Sequence, residues 1–325
     1  MNTSTRLLSL LADGRFHSGE ELGHDLAISR TAVWKKIKSL QRYGIAVHSV
    51  KGKGYRLSKA LELLDRGKIV SLIDAGVRPL LMHLTIHEEI NSTNRFLLDR
   101  VDKPDFHGHV VLAEFQSAGR GRRGHDWISP YAAGISLSVG WHFETSPELL
   151  TGISLGTGVA IMRALHRTGI HDAGLKWPND IFWQGRKLGG TLVEMRAESN
   201  GPCNVVIGIG INYSFPLAGS YSIDQPWTDI AAIRQEPVSR NVFTAMLISE
   251  LFKLLMEIWN GGFTGILDEW RQHDHMKGKH ATLLLPGSTV EGLLLGVDES
   301  GALLMSIDDQ IKKFNSGEIS LRVQH

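Results

Sequence analysis

Apolar positions in the first sixty residues recur at helical spacing. Thr5 to Ala12 is apolar-periodic and stops at Gly14. Ser18-Gly19-Glu20-Glu21 has the form of a capping box, which predicts a helix running to about Ala27. Ser29 is placed to cap a third helix, with Val33, Ile37 and Leu40 on one face and Gly44 at its end. The close junction between the second and third helices is that of a helix-turn-helix. Ile45 to Val50 then alternates as a strand does. The turn Lys51-Gly52-Lys53-Gly54 leads into Tyr55-Arg56-Leu57, so a hairpin follows and the predicted unit is a winged helix.

Beyond it, two helical stretches, Ala60 to Asp65 and Gly67 to Asp74, predict a connector that ends near Pro79. From Met82 the pattern mixes strands and helices. Strands are expected at Leu84–His87, Val110–Phe115, Gly134–Trp141 and Val205–Asn212, and helices at Arg95–Arg100, Ile153–His166 and Ala245–Trp259, with the Ile266–His273 segment closing the body. Leu175–Trp183 and Arg186–Glu194 form a hairpin through Gln184-Gly185. The end of the chain reads as short strands at 282–285, 290–297, 302–307, 311–314 and 319–323, separated by turns at Pro286-Gly287, Asp298–Gly301 and Asp308-Asp309. The expected division is a winged helix over residues 1–60, a connector over 61–81, a mixed body over 82–275 and a small β-barrel over 276–325.

Charge separates the first unit from the rest. The 325-residue chain carries a net +1, but residues 1–60 hold eleven Lys/Arg against four acids, a net +7. Residues 61–325 hold 24 against 30, a net −6. A basic helix-turn-helix on an acidic body suits an anionic partner, and DNA fits both the motif and the charge. Ser29, Arg30, Thr31, Trp34, Lys35 and Lys38 are the candidates at the third helix for a major groove, and Lys51 and Lys53 in the wing for phosphates. A solvated basic face on an interaction module is the alternative.

Several classes drop out. No apolar run approaches the ~18–20 residues of a membrane span. Met1-Asn2-Thr3-Ser4-Thr5-Arg6 lacks the pattern of a signal peptide. The single cysteine, Cys203, cannot close an internal disulfide, which fits a reducing cytoplasm. Neither His273-x-His275 nor His83…His87-Glu88 is a metal pattern.

The chemistry gathers in the body. The strand at Val110–Phe115 runs into Gln116-Ser117-Ala118-Gly119-Arg120-Gly121-Arg122-Arg123-Gly124. This contains G-x-G-x-x-G, yet a dinucleotide fingerprint must open a helix, and here His125-Asp126-Trp127-Ile128-Ser129-Pro130 leads to another strand. No Walker sequence occurs either. Arginines among glycines suit a mobile lid that orders over an anion, with fixed positive forks on a backbone free to approach it; a flexible basic loop without a ligand is the other reading. Glycines in the Val205–Asn212 strand indicate that something approaches its backbone closely. Asn179-Asp180, after Pro178, suits either a ligand site or a structural turn. Trp127, Trp177 and Trp183 read as packing residues.

Taken together and in order, Gly-Arg-Gly-Arg-Arg-Gly (119–124), Lys-Trp-Pro-Asn-Asp (176–180), Arg-Lys-Leu-Gly-Gly (186–190) and Gly-Ile-Gly-Ile-Asn (208–212) resemble the biotin–protein ligase family. With a winged helix ahead of them, the chain resembles the bifunctional type that also represses the biotin operon. The resemblance implies an α+β protein: an N-terminal winged helix-turn-helix, a central mixed α/β catalytic domain of the biotin/lipoate ligase type, related to class II synthetases, and a C-terminal SH3-like barrel. It implies ATP, Mg²⁺ and biotin as the small molecules, and biotinyl-AMP as intermediate and corepressor. The partners it implies are a lysine of the biotin carboxyl carrier protein of acetyl-CoA carboxylase, operator DNA, and a second copy of the chain on that DNA.

By match to the family's motifs, Ser92, Thr93, Asn94, Gln116, Arg120, Gly121, Arg122, Lys187, Gly208 and Gly210 are expected at biotin or the adenylate. Lys187, Arg122 and Arg120 are the expected catalytic cations. Trp227, Asn179, Asp180 and Asn212 are expected on the nucleotide side, with Asp180 toward Mg²⁺. Arg322 is a further candidate in the barrel. The chain departs from the family at His125-Asp126, where another basic residue is common, and at Asn91, where an acid is. Two other readings stay open: a biotin-sensing transcription factor without catalysis, and a lipoate-type ligase.

Overall fold

The computed structural model describes residues 3–58, 60–144, 152–197, 202–215, 223, 225–234, 236, 238–285, 288–315 and 320–323. The head consists of α1 (Thr3–Leu11), α2 (Gly19–Leu26), α3 (Arg30–Ser39), a 3₁₀ turn at Leu40–Tyr43, and the hairpin β1 (Val47–Val50) and β2 (Gly54–Leu57). Ser18 and Glu21 form the expected capping box, and Ser29 caps α3 by accepting from Ala32 N–H. Leu7, Leu8, Leu11, Leu22, Val33, Ile37 and Leu40 fill its core. At about 2 kcal/mol for each fully buried large aliphatic side chain, this apolar face holds the three helices together.

The connector differs from expectation. Residues 60–65 are not helical. Their polar groups bond to the body instead: Leu64 N–H donates to Glu114 (2.6 Å), Asp65 N–H to Asn241 (2.7 Å), and the Glu62 carboxylate accepts from Arg240 N–H (2.6 Å). Asp65 then caps α4 (Arg66–Leu72).

The body is a seven-stranded sheet in the order β3-β4-β5-β9-β8-β7-β6. Its strands are β3 (His83–Ile90), β4 (His109–Gln116), β5 (Gly134–Phe143), β6 (Gly174–Lys176), β7 (Asp180–Trp183), β8 (Arg186–Ala197) and β9 (Cys203–Asn212). Among the described strands of this sheet, only the β3–β4 pair is parallel. Period-two alternation separates the two faces. Val205, Ile207, Ile209 and Ile211 of β9 pack with residues of α6 (Ile153–Arg167), α8 (Arg240–Gly261) and α9 (Thr264–Gln272). The opposite face carries Val206, Gly208, Gly210 and Asn212 and is covered by α5 (Thr93–Leu98), whose Leu97 packs with Val206. The short helix α7 (Ile230–Ile233) precedes α8.

The tail is a five-stranded antiparallel sheet, β13-β12-β11-β10-β14. Its strands are β10 (His280–Leu285), β11 (Ser288–Val297), β12 (Leu303–Ile307), β13 (Gln310–Phe314) and β14 (Ser320–Val323). Leu283, Leu294 and Met305 join the main core. The Pro286-Gly287 turn and the Arg322 side chain lie outside the described residues.

Candidate active site

The glycine-bearing face of β9 forms the floor of a cleft of about 610 Å³. All fourteen residues expected at biotin, adenylate or nucleotide line it, contributed by β4, α5, β7, β8, β9 and three loops.

One end is a buried polar pocket. Ser92 caps α5, which sets Thr93 and Asn94 on the first turn, both 4% exposed. Thr93 N–H donates to Gln116 Oε1 (2.8 Å), and Gln116 Nε2 donates to Ser136 (3.2 Å). Ser138 Oγ lies 2.6 Å from Asn94 Oδ1 and 2.7 Å from Thr93 Oγ1. Ser136 and Ser138 are alternate residues of β5, so the pleat fixes their spacing, and α5 sets Thr93 and Asn94 against them. The close approach to the β9 glycines is made by the protein's own side chains. A Cβ on Gly208 would stand 2.2 Å from Asn94 Oδ1, and one on Gly210 2.4 Å from the Trp127 indole. Trp127 therefore packs as expected, and it also forms part of the cleft wall.

The other end is cationic. Lys187 pairs with Asp180 at 2.6 Å, and Arg122 donates to Asn179 Oδ1 at 3.4 Å. Burial holds the Arg122 guanidinium below its ordinary value; Asp180 opposes that shift and Arg123 adds to it. Asn179 also donates to Thr191 O (2.6 Å), so it serves as a turn residue while lining the cleft. Lys187 N–H donates to Pro226 O and Thr228 N–H donates to Lys187 O, both at 2.9 Å. That ladder fixes Trp227 beside the lysine, with Phe215 5.0 Å away, ring to ring. Asn212 Nδ2 holds the same segment through Thr228 O (3.0 Å).

The Gly-Arg loop lines the cleft from Arg120 to Arg123. Gly121 N–H donates to His125 O (2.7 Å) and Trp127 N–H to Gly119 O (2.9 Å), so the backbone at Arg120 and Asp126 forms an isolated antiparallel β-bridge. Arg122–Gly124 makes a single 3₁₀ turn with Arg123 at φ 56°, so no helix opens here. Arg120 donates from both terminal nitrogens to Glu194, a residue the motifs did not single out. Asn91, at the other departure, accepts from Ser92 N–H at 2.6 Å.

Asp180 is paired with Lys187, and among the described residues no group of three or more His, Cys, Asp or Glu is set to hold an ion. This donor set fits a Mg²⁺ that arrives on phosphates and takes one carboxylate, and not an all-protein cage. In the head, Arg30, Thr31, Trp34, Lys35, Lys38, Lys51 and Lys53 are all exposed, and Lys38 lies 5.4 Å over the Trp34 ring. The Ser29 hydroxyl is engaged in its cap.

Residues 87–212 match the Biotin/lipoate A/B protein ligase family, 3–56 an HTH domain and 278–322 the Biotin protein ligase C terminal domain. The chain is 37% identical over 319 residues to the Bifunctional ligase/repressor BirA of Escherichia coli (strain K12), covering 98% of this chain and 96% of that protein. The chain belongs to the bifunctional biotin ligase/repressor family. Its Bacillus subtilis (strain 168) member is 30% identical over 314 residues, 95% of each chain. The solved biotin protein ligase of Aquifex aeolicus, in complex with biotin and ATP, superposes with a TM-score of 0.63 at 26% identity. It matches 75% of this chain and 100% of its own. Among the described residues, no helix of this family member is long and apolar enough to cross a membrane.

Proposed function

We propose that this protein activates biotin with ATP and transfers it to a lysine of a biotin carboxyl carrier protein, and that its head represses biotin-synthesis genes by binding operator DNA. The observation that carries the reading is the cleft itself. A buried polar pocket made by Thr93, Asn94 and Gln116, with Ser138 bonded to Asn94, lies in the same cleft as a cationic end made by Arg122 and Lys187. A small acid with a polar head group and a nucleotide fit its two ends.

The chemistry follows from the charges. In the first step a carboxylate oxygen bonds to the α-phosphorus of ATP and the bond to pyrophosphate breaks. An anion must reach a polyanion, so fixed cations in a half-buried cleft lower the barrier. Lys187 and Arg122 supply them. Lys187 leaves Asp180 to bond the carboxylate, and the guanidinium of Arg122 faces the phosphates. Asp180 would hold a Mg²⁺ ion brought by ATP, which would neutralise phosphate charge when bound. Trp227 offers a ring for the adenine. In the second step the carrier amine bonds to the acyl carbon and AMP leaves. The Gly-Arg loop shields the mixed anhydride from water until the carrier arrives.

On DNA the protein acts as a homodimer. Supporting this, Val193–Ala197 of β8 pairs only with β9 among the described strands, so this part of the sheet has an open edge. The acetyl-CoA carboxylase carrier, the cytoplasm and the four-part division of the chain belong to the same reading. Pyrophosphate release from MgATP tests the ligase arm. Release that depends on biotin supports it; release that responds to lipoate and not biotin moves the protein to the lipoate class. A salt-dependent gel shift on DNA upstream of biotin-synthesis genes tests the head, and absence of any shift at low salt refutes it.

A further inference from the structure

Glu194 joins two parts of the site that the motifs leave separate. Its carboxylate accepts from Arg120 at 2.8 Å and 3.3 Å, at the entrance of the Gly-Arg loop. The same carboxylate accepts from Asn94 Nδ2 at 2.9 Å, on the pocket floor. Asn94 is 4% exposed, and its remaining bonds run to Leu192 O (3.1 Å) and to Ser138 (2.6 Å). Gly208 leaves the room that this side chain fills.

Resting on the ligase reading above, we propose that Glu194 is a positioning residue: it anchors the Gly-Arg loop through Arg120 and fixes the orientation of the Asn94 carboxamide. Three features support this. The Arg120–Glu194 contact uses two nitrogens and both oxygens, a forked geometry that fixes direction as well as distance. An ion pair with 43% and 22% side-chain exposure contributes little to global stability, so its use here is local order. Glu194 Oε2, together with Leu192 O, also fixes which way Asn94 faces, because both oxygens can only accept and so take the amide nitrogen, leaving Oδ1 toward Ser138. On this account Arg120 is the fixed post of the loop, and Arg122, two residues on, is the cation aimed into the cleft.

The decisive experiment compares the full-length wild type with Glu194→Gln, Arg120→Gln, the double variant, and the charge swap Arg120→Glu with Glu194→Arg. Two readouts are taken, after thermal melting has shown each variant folded. One is the rate of tryptic cleavage at Arg122 and Arg123, without ligand. The other is KM for biotin against kcat in pyrophosphate release. Glu194→Gln should speed loop cleavage about tenfold and raise the biotin KM about tenfold, the range expected for losing hydrogen bonds to a charged acceptor. Adding Arg120→Gln to Glu194→Gln should not speed cleavage further, because the two residues act as one contact. The charge swap should restore resistance to cleavage and leave the biotin KM raised, since Asn94 then faces a guanidinium in place of its acceptor. Wild-type cleavage and KM in Glu194→Gln, or multiplying effects of the two single variants, would overturn the anchor. A wild type that does not use biotin would overturn the ligase reading alone, and the cleavage readout would still decide the anchor.

Discussion

Gly208→Ala tests the geometry of the pocket floor most sharply. The added methyl carbon would lie 2.2 Å from Asn94 Oδ1, 2.8 Å from its Cγ and 3.0 Å from Nδ2. Asn94 cannot swing clear cheaply, because Leu192 O, Glu194 and Ser138 hold it. If it moves, buried polar groups lose partners at about 1–3 kcal/mol. If it stays, α5 and the sheet must part, and overpacking costs a similar ~1–3 kcal/mol. A loss near 2 kcal/mol corresponds to a fall in melting temperature of roughly 4–8 °C for a unit this size. The same displacement should raise the biotin KM with a smaller effect on kcat, because Asn94 lines the pocket and does not touch the reacting atoms. The assay is a thermal melt without ligand, followed by KM and kcat in biotin-dependent pyrophosphate release. Gly265→Ala is the control, with nothing within 4 Å of the new Cβ. Asn94→Ala combined with Gly208→Ala should recover most of the lost melting temperature. A Gly208→Ala protein that melts within about 1 °C of wild type and keeps its biotin KM would refute the close-packing argument.

Lys187→Ala should cut adenylate formation at least 100-fold, as loss of one preorganised charge partner does elsewhere, and unchanged pyrophosphate release would remove Lys187 from the chemistry. Lys51→Ala with Lys53→Ala should lower the slope of log affinity for operator DNA against log salt by about two while ligation stays at its wild-type rate; an equal fall in ligation would contradict a separable head. Glu114→Gln should destabilise the fold by about 3–5 kcal/mol, because it leaves Arg240, 0% exposed and 2.5 Å from Glu114, as a buried charge without its partner. Replacing both residues with methionine should restore much of that loss, and a double variant no better than the single would argue against an ion-pair origin. Burial disfavours the charged form of His17, yet the hydrogen bonds and charges of Asp13 and Glu21 outweigh it and hold its pKa above 6.5. The stabilisation from these pairs is full below pH 6.5 and is lost as pH rises through the elevated value. An NMR titration should show Asp13→Asn moving the His17 midpoint down, and an unmoved midpoint would discount the pair.

The helix-turn-helix was legible because its signals are local. Ser18, Glu21 and Ser29 satisfy backbone groups three residues away, so the caps can be read without knowing the fold. The cleft was legible through a different route, four short motifs whose order resembles a family, and the fourteen residues expected from it at biotin, adenylate or nucleotide all lie on its wall. The connector was misjudged because its partners are distant. Residues 60–65 suit a helix by composition, but Leu64 and Asp65 bond to Glu114 and Asn241, 50 and 176 residues further along. The β9 glycines announced a close approach, and only the fold could name Asn94 and Trp127 as what approaches. Glu194 gave no signal at all, since an acid at a strand position becomes informative only once Arg120, 74 residues earlier, is seen against it. The contact between head and body was equally silent: Tyr43 donates to Glu89 at 2.8 Å and packs edge-on against Phe115.

Mass spectrometry of a biotin carboxyl carrier protein after incubation with this protein, MgATP and biotin tests the central claim. The account predicts a mass increase of one biotinyl group on a single lysine, dependent on ATP and lost with Lys187→Ala. An unmodified carrier with biotin, alongside a modified acceptor with lipoate, would contradict it.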